Sequence, residues 1–264
     1  MMINNIFIDY IYNSSLLMNW VDIEAIYYFL LDGCTKRHQY IDTVNSDFSY
    51  VKSLLINYLL EQVKTKPKYL TNLIYLLDSI IEEAYFKKDT YDFTKNRILF
   101  LNFNYTNTER YYLDYYSQKV NHSIECIHIH GELENNNNPI IFGYGDEIDE
   151  NYKKIENLND NRYLDNIKSI NYLLTNNYKK LLEFINDGEY QIYIMGHSCG
   201  ISDRTLLNKL FEHKNCKSIR VFYYCKEDGT DNFTSLVQNI SRNFNDKSKM
   251  REIVVEKTGC MPLQ

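Results

Sequence analysis

Three stretches of this chain set reactive side chains beside short apolar runs. Asn104 follows the run Arg97–Phe103, RILFLNF, and opens the polar segment Asn104-Tyr105-Thr106-Asn107-Thr108. His130 closes the run Ile124–His130, IECIHIH, and Gly131 ends it. Gly196-His197-Ser198-Cys199-Gly200 follows the run Tyr190–Met195, YQIYIM. An amide offers a donor and an acceptor to a ribose hydroxyl or to water. An imidazole titrates near neutrality and can take a proton. Small residues with a hydroxyl at a strand end suit a turn that contacts a ribose or a phosphate.

Other chemistries fit these residues less well. G-x-S-x-G after a strand is also the pattern of a serine nucleophile elbow, whose fold then supplies an acid and a His on later strand ends. The sole His after Ser198 is His213, at the end of the very next helix, so that triad is not expected. Cys126, His128 and His130 alternate along one strand and would share a face. One thiolate and two imidazoles are ligand types for a metal, but no fourth ligand is visible, and the expectation is a half-polar strand lining a cleft, with no metal. Gly143-Tyr144-Gly145-Asp146 follows the short apolar run Ile140–Phe142; a lone G-x-G is weak, and it is expected either to border the pocket or simply to turn the chain. Asp203 is expected to cap a helix. Trp20 is expected in the core; Glu24 could reach the cleft, with a solvated helix face as the default expectation.

The elements that must position these residues are an α/β set. Apolar runs at Arg97–Phe103, Ile124–Ile129, Tyr190–Met195 and Ser218–Tyr224 alternate with helical patterns, which predicts four parallel neighbours in one sheet. Thr106 or Asn107 is the expected cap of the helix after the first run. Parallel strands end on one edge, so Asn104 and His130 should project into one crevice, where open α/β sheets bind ligands. A long helix is predicted over Asn161–Ile185, a helix from Ser202 or Asp203 to His213, another over Asp231–Phe244, and a last strand at Arg251–Val255. Before residue 96 the chain reads as mostly helical. Apolar spacing predicts a helix from about Leu16 to Asp32, and others over Asp47–Val63 and Tyr69–Phe86, broken at Lys66-Pro67. Met1–Asn13 is mixed and reads as a strand or a leftover edge. One domain over 1–264 is expected, with a helical part at 1–95 and a parallel α/β part at 96–264.

Composition narrows the function classes. The chain has 264 residues, 44% of them apolar and 24% charged, which is a globular balance. The net charge is −6, and Lys and Arg occur at most as adjacent pairs such as Lys87-Lys88, so binding to nucleic acid or to an anionic membrane by general electrostatics is not expected. Six Cys without a C-x-x-C pair read as reduced thiols of a cytoplasmic protein. The N-terminus has no basic segment before its apolar residues, so no signal peptide is expected, and no apolar run is long enough to span a membrane.

The motifs NFNYTNTE, IHIHG, IIFGYGDE and IMGHSCGISD, in that order and with NWVDIE at Asn19–Glu24, resemble the bacteriophage abortive-infection AbiH family. The resemblance runs from about Asn19 to Asn243. That family is in turn similar to sirtuin-like NAD-binding domains, several of which hydrolyse NAD in antiphage defence. The resemblance therefore implies a sirtuin-like Rossmann-type fold, NAD as substrate or ligand, and a phage-derived trigger or partner protein. It also implies roles for single residues. Asn104 and His130 match the Asn and His that hold the ribose and take a proton in such hydrolases. Thr106, Gly131, Gly143, Gly145, Gly196, His197 and Ser198 would border the nucleotide. Many relatives have Asp where this chain has Thr106. Such proteins also open with a strand and a Gly-rich turn, whereas the first glycine here is Gly33. This predicts that the 264-residue chain binds NAD weakly or not at all, and the alternative is a truncated, non-catalytic nucleotide- or partner-binding module.

Overall fold

The computed structural model describes residues 5–14, 22–35, 40–62, 97–119 and 123–263. Trp20 and the predicted helix over 69–86 lie outside the described residues. The fold is α/β, with parallel strand pairs flanked by helices. Strand β1 (Arg97–Asn102) pairs in parallel with β2 (Ser123–His128), and helix α4 (Arg110–Lys119) makes the crossover. Strand β3 (Tyr190–Met195) pairs in parallel with β4 (Cys216–Tyr223) across helix α8 (Arg204–Phe211). A two-residue β5 (Met261–Pro262) extends β4. These runs are rich in Ile, Val, Leu and aromatic residues, which suit a pleated surface covered on both faces.

The two parallel pairs belong to separate ladders, β1–β2 and β3–β4–β5, instead of the one four-stranded sheet predicted. They meet through side chains: Leu99, Leu101 and Phe103 pack on the same apolar cluster as Ile127, Ile194 and Val221. That cluster also takes Leu181 and Ile185 from helix α7 (Asn177–Asn186) and Leu206 and Leu210 from α8.

A second cluster lies under the first three helices, α1 (Ile6–Ser14), α2 (Asp22–Thr35) and α3 (Ile41–Gln62). Phe7, Tyr27 and Phe48 are its aromatic centre, with Tyr27 and Phe48 stacked at 4.2 Å. Phe142 and Tyr144 dock into it, stacked 4.8 Å from Phe48 and 4.0 Å from Tyr28. The segment after β2 is thereby pinned to the N-terminal helices. No helix among the described residues is long and apolar enough to cross a membrane.

Four local expectations are corrected. Residues 6–14 are helical, because Asn5 Oδ1 accepts from the Ile8 N–H as a cap and Phe7 is buried against α2 and α3. After α5 (Glu150–Glu156), the predicted helix Asn161–Ile185 is broken into helical turns, α6 (Lys168–Asn171) among them, and then α7. The break has a cause: Tyr144 N–H donates to Asn166 O and Lys168 N–H to Tyr144 O, which pulls residues 166–168 into an extended bridge. Ile140–Phe142 is not a ladder strand; Ile141 N–H bonds His130 O and Glu132 N–H bonds Asn138 O, without forming a ladder. Arg251–Val255 falls mostly in α10 (Lys247–Ile253), which Asp246 caps by accepting from Ser248 and Lys249, leaving a single bridge from Val254 to Ile219.

Candidate functional site

The carboxyl ends of β1, β2 and β3 converge on an aromatic and ionic centre. Phe103, just past β1, sets its ring edge-on to His130 at 5.2 Å and against His197 at 4.2 Å. Below them Asp203 is buried. Its Oδ1 lies 3.1 Å from His130 Nε2 and its Oδ2 lies 3.5 Å from His197 Nε2. Lys168 Nζ completes the group, 2.8 Å from Asp203 Oδ1 and 2.7 Å from Glu24 Oε2. Tyr172 Oη is 3.2 Å from His130 Nε2.

Each charge in this group is sustained by the others. Burial would neutralise the Asp203 carboxyl, yet Lys168 and His130 hold it well below the usual carboxylate range. Burial would likewise strip the proton from Lys168, and Asp203 and Glu24 reverse that and keep the ammonium. Burial, aided by Asp203 and Glu24, pushes the Tyr172 and Tyr105 phenols well above their ordinary value, so both remain neutral donors. Asp203 stands at the N-cap position of α8 as expected, but its side chain makes no cap bond there and instead faces Lys168 and the two imidazoles. Glu24 is not on a solvated face but buried, with Oε2 on Lys168 and Oε1 accepting from Gly143 N–H at 3.2 Å.

His130 is 4% exposed. Its Nε2 is taken by Asp203 and Tyr172, while its Nδ1 has no hydrogen-bond partner among the described residues. His197 is held at both nitrogens, because Cys199 N–H donates to its Nδ1 at 3.0 Å. The turn that carries it has two left-handed residues, Gly196 at φ 75° and Cys199 at φ 54°. For a cysteine that conformation costs about 1–2 kcal/mol and needs support from its surroundings. Helix α9 (Phe233–Arg242) and its C-cap supply it: Asn239 Nδ2 donates to Ser198 O at 2.8 Å and Asn243 Nδ2 to Cys199 O at 2.9 Å.

The glycines expected near a ligand differ in what they face. A Cβ on Gly143 would stand 1.9 Å from Asn166 O, and one on Gly145 would stand 2.8 Å from Ser202 O, so both glycines are filled by the chain itself. Gly131, at φ 87°, is packed against Pro139 in the same way. Beside Gly196, apart from its chain neighbours, no atom of the described residues lies within 4 Å of the Cβ position. Thr106 contributes its carbonyl to Asn102 Nδ2. Asn104 is exposed; its N–H donates to Asn102 Oδ1 and its carbonyl is 3.3 Å from His128 Nδ1.

A second group sits on the other side of β2. The strand ends at His128, so the side-chain alternation expected over Cys126, His128 and His130 stops there. Cys126 and His128 face Glu109, whereas His130 turns to Asp203 and Tyr172. His128 Nε2 is 2.9 Å from Glu109 Oε1, and Cys126 Sγ is 3.8 Å from the same oxygen. Burial would lower the His128 pKa, but Cys126 and Glu109 overcome that and lift it to about 10. These residues line a cleft of about 320 Å³ together with Asn135, Asn138 and Asn177.

The chain matches the sequence model of the family described as bacteriophage abortive infection AbiH over residues 2–225. It belongs to that family. No curated protein and no solved structure matches it. In this AbiH chain the motif residues His130 and His197 meet on one carboxylate, and Asn104 sits one residue beyond the Phe103 ring that touches both.

Among the charged residues of the two groups, Lys168 and Glu109 were not singled out for chemistry by their sequence context, Asp203 was read as a cap and Glu24 by default as solvated. Lys168 stands four residues after Leu164, inside an apolar stripe, where a lysine is out of pattern. That irregularity was the available signal for it. Glu24 carried a weaker one, its place in the NWVDIE motif. Glu109 in NFNYTNTE reads as an ordinary first-turn acid, and only the fold brings it to His128.

Proposed function

We propose that this AbiH chain serves abortive infection by hydrolysing the nicotinamide glycosidic bond of NAD at the edge where β1, β2 and β3 end. The observation that carries the reading is the His130–Asp203 contact at 3.1 Å, which leaves His130 Nδ1 as the open nitrogen. A carboxylate on one ring nitrogen fixes the tautomer and stabilises the imidazolium that forms when the other accepts a proton. As the C–N bond breaks, the electron pair leaves with nicotinamide, which departs neutral. Water adds to C1′ and passes its proton to His130 Nδ1. Asn104, exposed beyond β1, is the amide that holds the ribose or the water. The open space beside Gly196 suits close approach of a pyrophosphate to the turn Gly196–Ser198. Loss of NAD then halts the infected cell.

The test is NAD consumption by the full chain and by His130→Ala, Asp203→Asn and Ser198→Ala, with thermal melting alongside. Removing a general base lowers a rate about 10²- to 10⁴-fold, so both His130→Ala and Asp203→Asn should lose activity. Full activity in His130→Ala ends this assignment. Activity lost only in Ser198→Ala points to a serine nucleophile instead.

The burial of His130 favours a second reading, a nucleotide-binding module without catalysis, because a locked imidazole serves binding geometry as well as proton transfer. Calorimetric binding of NAD with no NAD loss would select that reading.

A further inference from the structure

We propose that Glu109, Cys126 and His128 form a binding site for a divalent transition-metal ion of the zinc class, with its remaining coordination position open to the adjoining cleft. The donor atoms, Glu109 Oε1, Cys126 Sγ and His128 Nε2, all lie within 4.8 Å of one another. Carboxylate oxygen, thiolate sulfur and imidazole nitrogen are the ligand types of zinc, and three protein ligands with one open position is its usual arrangement where it meets a substrate or water. Bonds of about 2.0–2.3 Å in a tetrahedron put neighbouring donors roughly 3.3–3.6 Å apart. The two contacts of Glu109 Oε1, at 2.9 Å and 3.8 Å, reach that with shifts of a few tenths of an ångström, and closing the Cys126–His128 edge, which lies within 4.8 Å, completes the set.

The outer contacts point the same way. His128 Nδ1 faces the Asn104 carbonyl at 3.3 Å, which fixes the proton there and turns the Nε2 lone pair inward. Metal-binding imidazoles are commonly oriented in this manner. Glu109 Oε2 accepts from Asn102 Nδ2 at 2.7 Å, leaving Oε1 for the ion. Arg110, the cation that lines the cleft among the described residues, is already paired with Glu132 at 2.6 Å, so it does not compete for Glu109. A plain ion pair would need only Glu109 and His128; Cys126, on the same face of β2, adds a third donor to the same point.

Binding is balanced by proton release. The ion takes the place of the Cys126 thiol proton and of the proton between His128 Nε2 and Glu109, and both pass to solvent. No oxidant or reductant is involved. None of its three ligands is placed in the NAD mechanism; the two readings share only Asn104, through its carbonyl here and its side chain there.

The experiment uses the full chain, stripped with chelator and then titrated with Co²⁺ and with Zn²⁺. One Co²⁺ per chain should bind with a thiolate-to-cobalt charge-transfer band in the near ultraviolet, and Zn²⁺ should bleach it. The band should vanish in Cys126→Ser and in His128→Gln and persist in Cys225→Ser, which alters an exposed thiol elsewhere. Should those variants fail to fold, the unaltered chain decides: Zn²⁺ should protect Cys126 from alkylation, mapped by mass spectrometry, while Cys225 stays reactive. Absence of stoichiometric binding, a band retained in Cys126→Ser, or Cys126 alkylated equally with and without Zn²⁺ would overturn the proposal.

Discussion

Lys168 Nζ lies 2.7 Å from Glu24 Oε2, joining residues 144 positions apart in a pocket where Lys168 is 1% exposed. The same ammonium touches Asp203, so one cation links helix α2 to the helix start that follows β3. The helical N-terminal part and the strand edge are therefore one electrostatic unit. A buried ion pair adds little net stability as a pair, but removing one partner strands a charge.

Lys168→Met should accordingly destabilise the fold by about 3–5 kcal/mol, read from urea denaturation. Adding Glu24→Gln to that variant should recover part of the loss, because one of the two stranded carboxylates is then neutral. A loss under about 1 kcal/mol for Lys168→Met alone would mean that water or rearrangement satisfies the carboxylates.

Acid should weaken the protein through Asp203. Its folded pKa is depressed, so its contribution is complete above its unfolded value of about 3.9 and fades as the pH falls from there through the lower folded value. Melting curves taken from neutrality down to about pH 2 should fall more steeply below about pH 4 in the unaltered chain than in Asp203→Asn. Parallel curves would show that Asp203 titrates normally.

Cysteine reactivity should separate by environment. Burial, with Asp203 close by, pushes Cys199 up to about 12, and burial does the same to Cys216. Cys225 is exposed. Because the thiolate is the nucleophile, iodoacetamide at mildly alkaline pH should modify Cys225 first and reach Cys199 and Cys216 only after denaturation. Early labelling of Cys199 would mean that the turn after β3 opens in solution.

Asn104→Ala distinguishes a ligand contact from a structural one. Its side chain is exposed, and it is the backbone N–H that bonds Asn102. The substitution should change stability by less than about 0.5 kcal/mol while lowering NAD loss or NAD affinity. A large drop in melting temperature with unchanged activity would remove Asn104 from the site.

The strands were legible because apolar runs of six to eight residues bounded by polar turns have few other fates. Arg97–Asn102, Tyr190–Met195 and Cys216–Tyr223 all lie where their sequence predicts. The division into two ladders was not legible, since side-chain packing between β1 and β3 leaves no mark on periodicity. Asn161–Ile185 misled for a related reason. Its stripe survives only in part: Ile167, Leu181 and Ile185 are buried, but the bridge to Tyr144 interrupts the backbone and Ile170 and Leu174 are exposed, which apolar spacing alone does not show. At the site, His130 and His197 were visible as residue types after strands. Lys168 and Glu109 were not, because their partners are distant in the chain and a single charge gives no hint of what it will face.

The two amides on α9 bear on where the working unit ends. The family match stops at residue 225, yet Ser198 and Cys199 are held by Asn239 and Asn243. The stretch by which the family is recognised is thus shorter than the stretch that keeps its motif in shape. A fragment cut at that border would carry every signature residue and still lose the brace on the turn before α8. Recombinant pieces, chimeras between members and comparisons of motif residues all need to reach past Asn243 before an inactive product says anything about the motif itself.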